Sequence, residues 1–260
     1  MNVLNGICIS PNNEFIFIAD TVGGGIHVLN ANDGTYVRPI VGQPGNGLHS
    51  PTAVCISPSG RELFISEDLL RIDEDGGFVY SADIKVFNAL DGSFIRTINI
   101  GHRTRTSDIC ISHDGELLFT ADFNLHRINV FRTDGTPIRT IGKRQLRHPN
   151  SICLSKEGEL YVTDSSNSIK VFRLEDGSHV RSIGVGRSLS IAYMSPFGEL
   201  FISHPKHDRN IEVFQTDGTR IRTIDQTAFS RGLCVSDKNE LFAVSKNTQT
   251  GEYCVKVFQN

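Results

Sequence analysis

The chain has 260 residues, 38% hydrophobic and 21% charged, enough apolar material for one large domain or two small ones. A net charge of −3 excludes a generally basic nucleic-acid binder, and no apolar run approaches the roughly 20 residues of a membrane-spanning helix. The 24 glycines show no collagen period and point to many turns.

Met1 to Asn5 carries no positive charge and leads straight into a strand pattern, so no signal peptide is expected. The first apolar element, Ile7-Cys8-Ile9-Ser10, returns as Val54-Cys55-Ile56-Ser57, Ile109-Cys110-Ile111-Ser112, Ile152-Cys153-Leu154-Ser155, Ala192-Tyr193-Met194-Ser195 and Leu233-Cys234-Val235-Ser236. Successive serines lie 40 to 55 residues apart. Behind each copy come a turn and a second apolar run, such as Phe15 to Asp20 or Leu160 to Asp164. A third run follows, as in Ile84-Lys85-Val86-Phe87 and Ile169-Lys170-Val171-Phe172, then a fourth, as in Arg96-Thr97-Ile98 and Arg222-Thr223-Ile224. Asp-Gly at 33–34, 91–92, 134–135, 176–177 and 217–218 joins the third run to the fourth, a hairpin signal.

Four short strands per repeat predict an all-β, six-bladed propeller with four-stranded antiparallel blades. The blades fall near 6–42, 51–101, 106–142, 149–184, 188–224 and 231–260, in a single domain. The strands of a blade are called A to D here. A to C alternate little, as expected when both sheet faces pack. D alternates more and carries Pro39 and Pro137, which a sheet tolerates mainly at its edge, so D is the outer strand. Blade six has no Asp-Gly and no D strand after Val255-Lys256-Val257-Phe258, so it is expected to be three-stranded or incompletely closed.

Cys8, Cys55, Cys110, Cys153 and Cys234 share one position in strand A. Packed sheets stand ~10 Å apart, too far for a disulfide, so these are expected to be free, buried thiols in a reducing, intracellular compartment.

The repeats resemble NHL repeats. The segment Pro149 to Phe172 carries the pattern best: apolar strand, turn, Leu160-Tyr161-Val162-Thr163-Asp164, loop, Ile169-Lys170-Val171-Phe172. The resemblance covers nearly the whole chain. It implies a six-bladed ring that serves as a platform for protein or single-stranded RNA, and a few wider relatives are metal-dependent lyases or lactonases. Residues matching those enzymes' histidine, arginine and tyrosine positions are not found.

A propeller has two loop faces. The A–B and C–D turns are acidic throughout. On the other face the D–A crossovers are basic, with Arg103, Arg105, Lys143, Arg144, Arg147 and Arg187 gathered where blades two to four meet. They lie beside an acidic B–C insertion, residues 66–83, read as a long loop. The basic sector is either a solvated surface with internal ion pairs or an anion-binding patch for an acidic peptide or a nucleic-acid backbone. Loop aromatics such as Phe123 are scattered along the chain, which disfavours RNA. The strand-D arginines Arg38, Arg96, Arg139, Arg181 and Arg222 are expected to shield the outer edge.

Strand B ends in Asp20, Glu67, Asp122, Asp164, His204 and Ser245 at one equivalent position, expected at the channel mouth. Such groups could hold calcium, or zinc with further histidines, but a carboxylate there also commonly caps the following loop. The reading that results is a non-enzymatic platform for a protein or peptide on the crossover face, without a cofactor or a membrane. Single-stranded RNA on the same sector is the alternative, and a metal-dependent hydrolase or lyase at the channel mouth the second.

Overall fold

The structure, a computed structural model, describes residues 4–72, 76–166, 168–184, 191–203, 210–225, 229–246, 250 and 252–259. Those residues form strands and turns and no helix, and so no helix long and apolar enough to cross a membrane. Blade one holds β1 (Leu4–Ile9), β2 (Phe15–Asp20), β3 (Gly25–Asn30) and β4 (Tyr36–Ile40). Blade two holds β5 (Pro51–Ile56), β6 (Glu62–Ile72), β7 (Phe78–Asn88) and β8 (Phe94–His102). Blade three holds β9 (Thr106–Ile111), β10 (Leu117–Asp122), β11 (Arg127–Arg132) and β12 (Pro137–Ile141). Blade four holds β13 (Ser151–Leu154), β14 (Glu159–Thr163), β15 (Ser168–Arg173) and β16 (His179–Gly184). Blade five holds β17 (Ile191–Met194), β18 (Leu200–Ser203), β19 (Asn210–Phe214) and β20 (Arg220–Asp225). Blade six has three strands, β21 (Phe229–Val235), β22 (Glu240–Lys246) and β23 (Tyr253–Gln259).

Each sheet runs in chain order, and the first strands touch in a cycle, β1 to β5 to β9 to β13 to β17 to β21 and back to β1. This is a six-bladed propeller. The core is split into six apolar layers, one between each pair of neighbours. Phe17 and Val28 meet Val54 and Leu63 between blades one and two, and Ile7, Ile16 and Ile18 meet Cys234, Phe242 and Val244 between blades one and six. The second strands are buried almost throughout because both faces carry such a layer. Burying each phenylalanine contributes about 1.5–3 kcal/mol. The outer strands expose alternate residues, which is why Pro39 and Pro137 are tolerated there.

Two polar devices repeat with the blades. The serine ending each strand A is buried, and its Oγ accepts a backbone N–H from the A–B turn. The donor is five residues on in blades one to three, Phe15 to Ser10 at 2.9 Å, Glu62 to Ser57 at 3.0 Å and Leu117 to Ser112 at 2.8 Å. It is four residues on in blades four to six, as Glu240 to Ser236 at 3.0 Å. In each C–D turn the aspartate accepts the N–H two residues on, as Ser93 to Asp91 at 2.8 Å, and the following glycine is left-handed, with φ 76° at Gly92. The hydroxyl of that same Thr or Ser, together with its N–H, holds Asp33, Asp91, Asp134, Asp176 and Asp217 below the usual carboxylate range.

The strand-D arginines do something other than shield an edge. Arg38 donates to the Ala89 and Leu90 carbonyls at 2.9 and 2.6 Å, Arg96 to Thr133 at 2.8 Å, Arg139 to Leu174, and Arg181 to Thr216 at 3.0 Å. Every acceptor lies in the C–D turn of the next blade, so these four arginines are straps between neighbours. Arg96, Arg181 and Arg222 also fork onto Glu62, Glu159 and Glu199 of their own blades.

The insertion in blade two is not a loop either. β6 and β7 continue to pair from Glu67 opposite Asp83 out to Ile72 opposite Phe78, making an extended hairpin. The ladder thus runs on past the length of the second and third strands of the other blades.

Candidate functional site

The crossover from blade three to blade four, residues 142–149, is a pinned loop. Gln145 and Leu146 donate to the Gly142 carbonyl, each at 2.9 Å, and Leu146 is buried. The Lys170 ammonium binds the Gln145 carbonyl at 2.5 Å, and the Arg147 N–H donates to Asp164 at 2.9 Å. With its backbone fixed, the loop presents Lys143, Arg144 and Arg147 to solvent. Across from it, Thr104 and Thr106 are buried and anchor the blade-two crossover, leaving Arg103 and Arg105 exposed. Five of the six sequence-predicted cations are thus exposed on these two crossovers. Arg187 lies outside the described residues. Arg103, Lys143, Arg144 and Arg147 have no carboxylate partner among the described residues, while Arg105 reaches Asp68 at 3.4 Å.

Phe123 sits inside this sector rather than apart from it. The Arg105 guanidinium lies 5.0 Å from its ring centre, His148 stacks on it at 4.5 Å, and His126 meets His148 edge-on at 4.2 Å. His148 N–H donates to His126 Nδ1 at 3.0 Å, and His148 Nδ1 lies 3.1 Å from the Phe123 carbonyl. Separate loops of blade three and the crossover to blade four converge here, which chain position alone conceals. The backbone is costly as well. Arg103, His126, Arg144 and His148 all have left-handed φ, between 48° and 68°, where glycine would be unstrained.

The strand-B carboxylates are each spent within their own surroundings. Asp20 accepts from Gly23 N–H at 2.8 Å and Val22 N–H at 3.2 Å, with His27 Nε2 at 3.2 Å. Glu67 accepts from His49 N–H at 2.5 Å and pairs with Lys85 at 2.7 Å. Asp122 accepts from Leu125 N–H at 3.1 Å, and burial pushes its carboxyl up despite Arg127 at 3.6 Å. Asp164 takes Arg147 N–H and Ser166 N–H at 2.9 Å each, and Lys170 at 2.7 Å. Burial raises its carboxyl, but these donors outweigh burial and hold it below the ordinary range. Among the described residues no three His, Cys, Asp or Glu side chains come together as a metal site. His204 and His207 lie outside them.

The central channel, about 700 Å³, is lined instead by the strand-A residues. Cys8, Cys55, Cys110 and Cys153 belong to its wall, all cysteines are free, and burial pushes these four thiols up, so they are neutral. Toward the crossover face it is polar, with Asn5, Asp68, Arg105, Asp108, Asn150 and Lys246. Asp108 was not anticipated as a wall residue. Its carboxylate accepts from Ser151 Oγ at 2.7 Å, Ile152 N–H at 2.9 Å and its neighbour Ile109 N–H at 2.9 Å, yet burial pushes it up to about 6. The signal was available: the equivalent residues in the other blades are Gly6, Ala53, Ser151, Ile191 and Gly232, none of them charged.

Comparison of the chain with models of known protein families gives no match, and comparison with curated proteins gives none.

Proposed function

We propose that this propeller is a non-enzymatic platform that docks an acidic protein or peptide on its crossover face, through Arg103, Arg105, Lys143, Arg144 and Arg147. One observation carries this reading. Two crossovers hold Arg103, Lys143, Arg144 and Arg147 in the open without carboxylate partners among the described residues, Arg103 and Arg144 on left-handed backbone. With the backbone of the 142–149 crossover already pinned, binding need not order it, and the summed field of the cations steers an acidic partner toward this face. The likeness of the repeats to NHL repeats supports the same use. Free, buried strand-A thiols suit a reducing compartment.

Single-stranded RNA on this sector is the second reading, favoured by the Arg105–Phe123–His148 stack, which offers an aromatic platform beside cations. A pull-down from native extract with the parent protein and with the Lys143→Glu, Arg144→Glu, Arg147→Glu triple variant tests both. Loss of a captured protein at unchanged melting temperature supports the platform, and unchanged capture refutes it. Retention of pooled oligonucleotides at low salt, falling steeply as salt rises, shifts the reading to RNA.

A further inference from the structure

In the five complete blades one row of side chains crosses the sheet in the same register. An aromatic of strand B faces the valine of strand C, and that valine faces the arginine of strand D. The rows are Phe17–Val28–Arg38, Phe64–Val86–Arg96, Phe119–Val130–Arg139, Tyr161–Val171–Arg181 and Phe201–Val213–Arg222. Where a glutamate stands two residues before the aromatic, in blades two, four and five, the arginine forks onto it. Two residues after each arginine an isoleucine covers the isoleucine of strand C, as Ile98 covers Ile84 and Ile183 covers Ile169.

Blade six repeats the row as far as it goes. Phe242 faces Val257, and Glu240 stands two residues before Phe242. Among the described residues no strand lies beyond β23. Val257 is 54% exposed, while its five counterparts are at most 1% exposed. Val255, the counterpart of fully buried Ile169, is partly exposed. Glu240 receives Ser236 Oγ at 3.3 Å and has no cationic partner among the described residues. Ala31 of blade one, the counterpart of the strap acceptor Ala89, packs against this edge of the core.

We infer that the outer edge of β23 is a docking site for an extended peptide of a partner protein, added antiparallel as a fourth strand. The peptide carries Arg-x-Ile, its arginine opposite Val257 and forked onto Glu240, its isoleucine opposite Val255. Sheet-edge ladders give affinity and alternate side chains give specificity. All five outer strands of the chain carry this triplet: Arg38-Pro39-Ile40, Arg96-Thr97-Ile98, Arg139-Thr140-Ile141, Arg181-Ser182-Ile183 and Arg222-Thr223-Ile224. A second copy of β23 is a poorer occupant, because an antiparallel pair centred on Lys256 sets two ammonium groups opposite each other. The site is on the rim, distinct from the crossover face, and stands independently of the proposal made for that face.

The test uses a labelled synthetic peptide with the sequence of residues 93–99, Ser-Phe-Ile-Arg-Thr-Ile-Asn. The inference predicts saturable binding to the whole protein. Glu240→Gln in the protein, or alanine for arginine in the peptide, weakens it about tenfold, the usual effect of losing one charge-assisted pair. Glu240→Arg reverses the preference, favouring a peptide with glutamate in place of arginine. Hydrogen exchange in β23 is fast in the free protein and slows on adding peptide. No binding, binding indifferent to Glu240, self-association through β23 that excludes the peptide, or a β23 already protected without it overturns the inference.

Discussion

The Lys170 ammonium lies 2.7 Å from the Asp164 carboxylate, and both side chains are almost wholly inside the protein. This pair couples the architecture to the binding face. Lys170 continues to the Gln145 carbonyl and Asp164 to the Arg147 N–H, so one ion pair holds the crossover from both ends.

Replacing Asp164 by Asn leaves a buried ammonium with a poorer partner. The expected loss is about 2–4 kcal/mol at pH 7, read by denaturant unfolding. The Asp164 carboxyl is held below its ordinary range, so its stabilisation is present above the unfolded value and is lost as pH falls through the folded one. The gap between parent and Asp164→Asn therefore narrows below about pH 4. A gap that is constant with pH contradicts the pairing.

Asp108 has the opposite sign. Its carboxyl is raised from 3.8 to about 6, so the folded state holds an extra proton between those values. Stability from this group is full below the lower value and falls as pH rises through the window. Because Asp108 borders an open channel, about 1–2 kcal/mol is expected rather than the full shift. Melting temperatures of parent and Asp108→Asn between pH 4 and 6.5 should converge or cross toward the variant as pH rises. Parallel curves rule the assignment out.

Ser10 is buried, and its Oγ accepts both Glu14 N–H at 3.1 Å and Phe15 N–H at 2.9 Å. Ser10→Ala removes the Oγ acceptor of Phe15 N–H in the A–B turn, leaving Glu14 N–H to Asn12 Oδ1 at 3.2 Å, and is expected to cost about 1–2 kcal/mol. Unfolding in urea reads this directly. A neutral result would mean that water replaces the hydroxyl.

The ring was legible because a propeller repeats its chemistry. Ile-Cys-Ile-Ser, Asp-Gly and Arg-x-Ile each occupy one structural position, and the three-stranded sixth blade followed from the missing Asp-Gly. What the repeats did not reveal was direction across blades. The strand-D arginines looked like edge guards because their acceptors, the carbonyls of Ala89, Thr133, Leu174 and Thr216, are backbone atoms in the next repeat and leave no sequence trace. The 66–83 segment read as a loop because its acidic residues, Glu67, Asp68, Asp73, Glu74, Asp75 and Asp83, give it the composition of a polar connection, while the pairing of its two arms leaves no periodic trace. At the candidate site, the cations were recognised from charge alone. Phe123 and His148 lie 25 residues apart, and only the meeting of two blades stacks them. Asp108 is the one charged residue among six equivalents, a departure that marks it once strand A is known to face the neighbouring blade.

The most direct measurement is a hydrogen-exchange footprint of the captured partner on the whole protein. Protection is expected at residues 101–106 and 142–149, with the acidic C–D turns around Asp33, Asp134 and Asp217 unchanged. Protection of those turns, with the 142–149 crossover unaffected, would contradict the placement of binding on the basic sector.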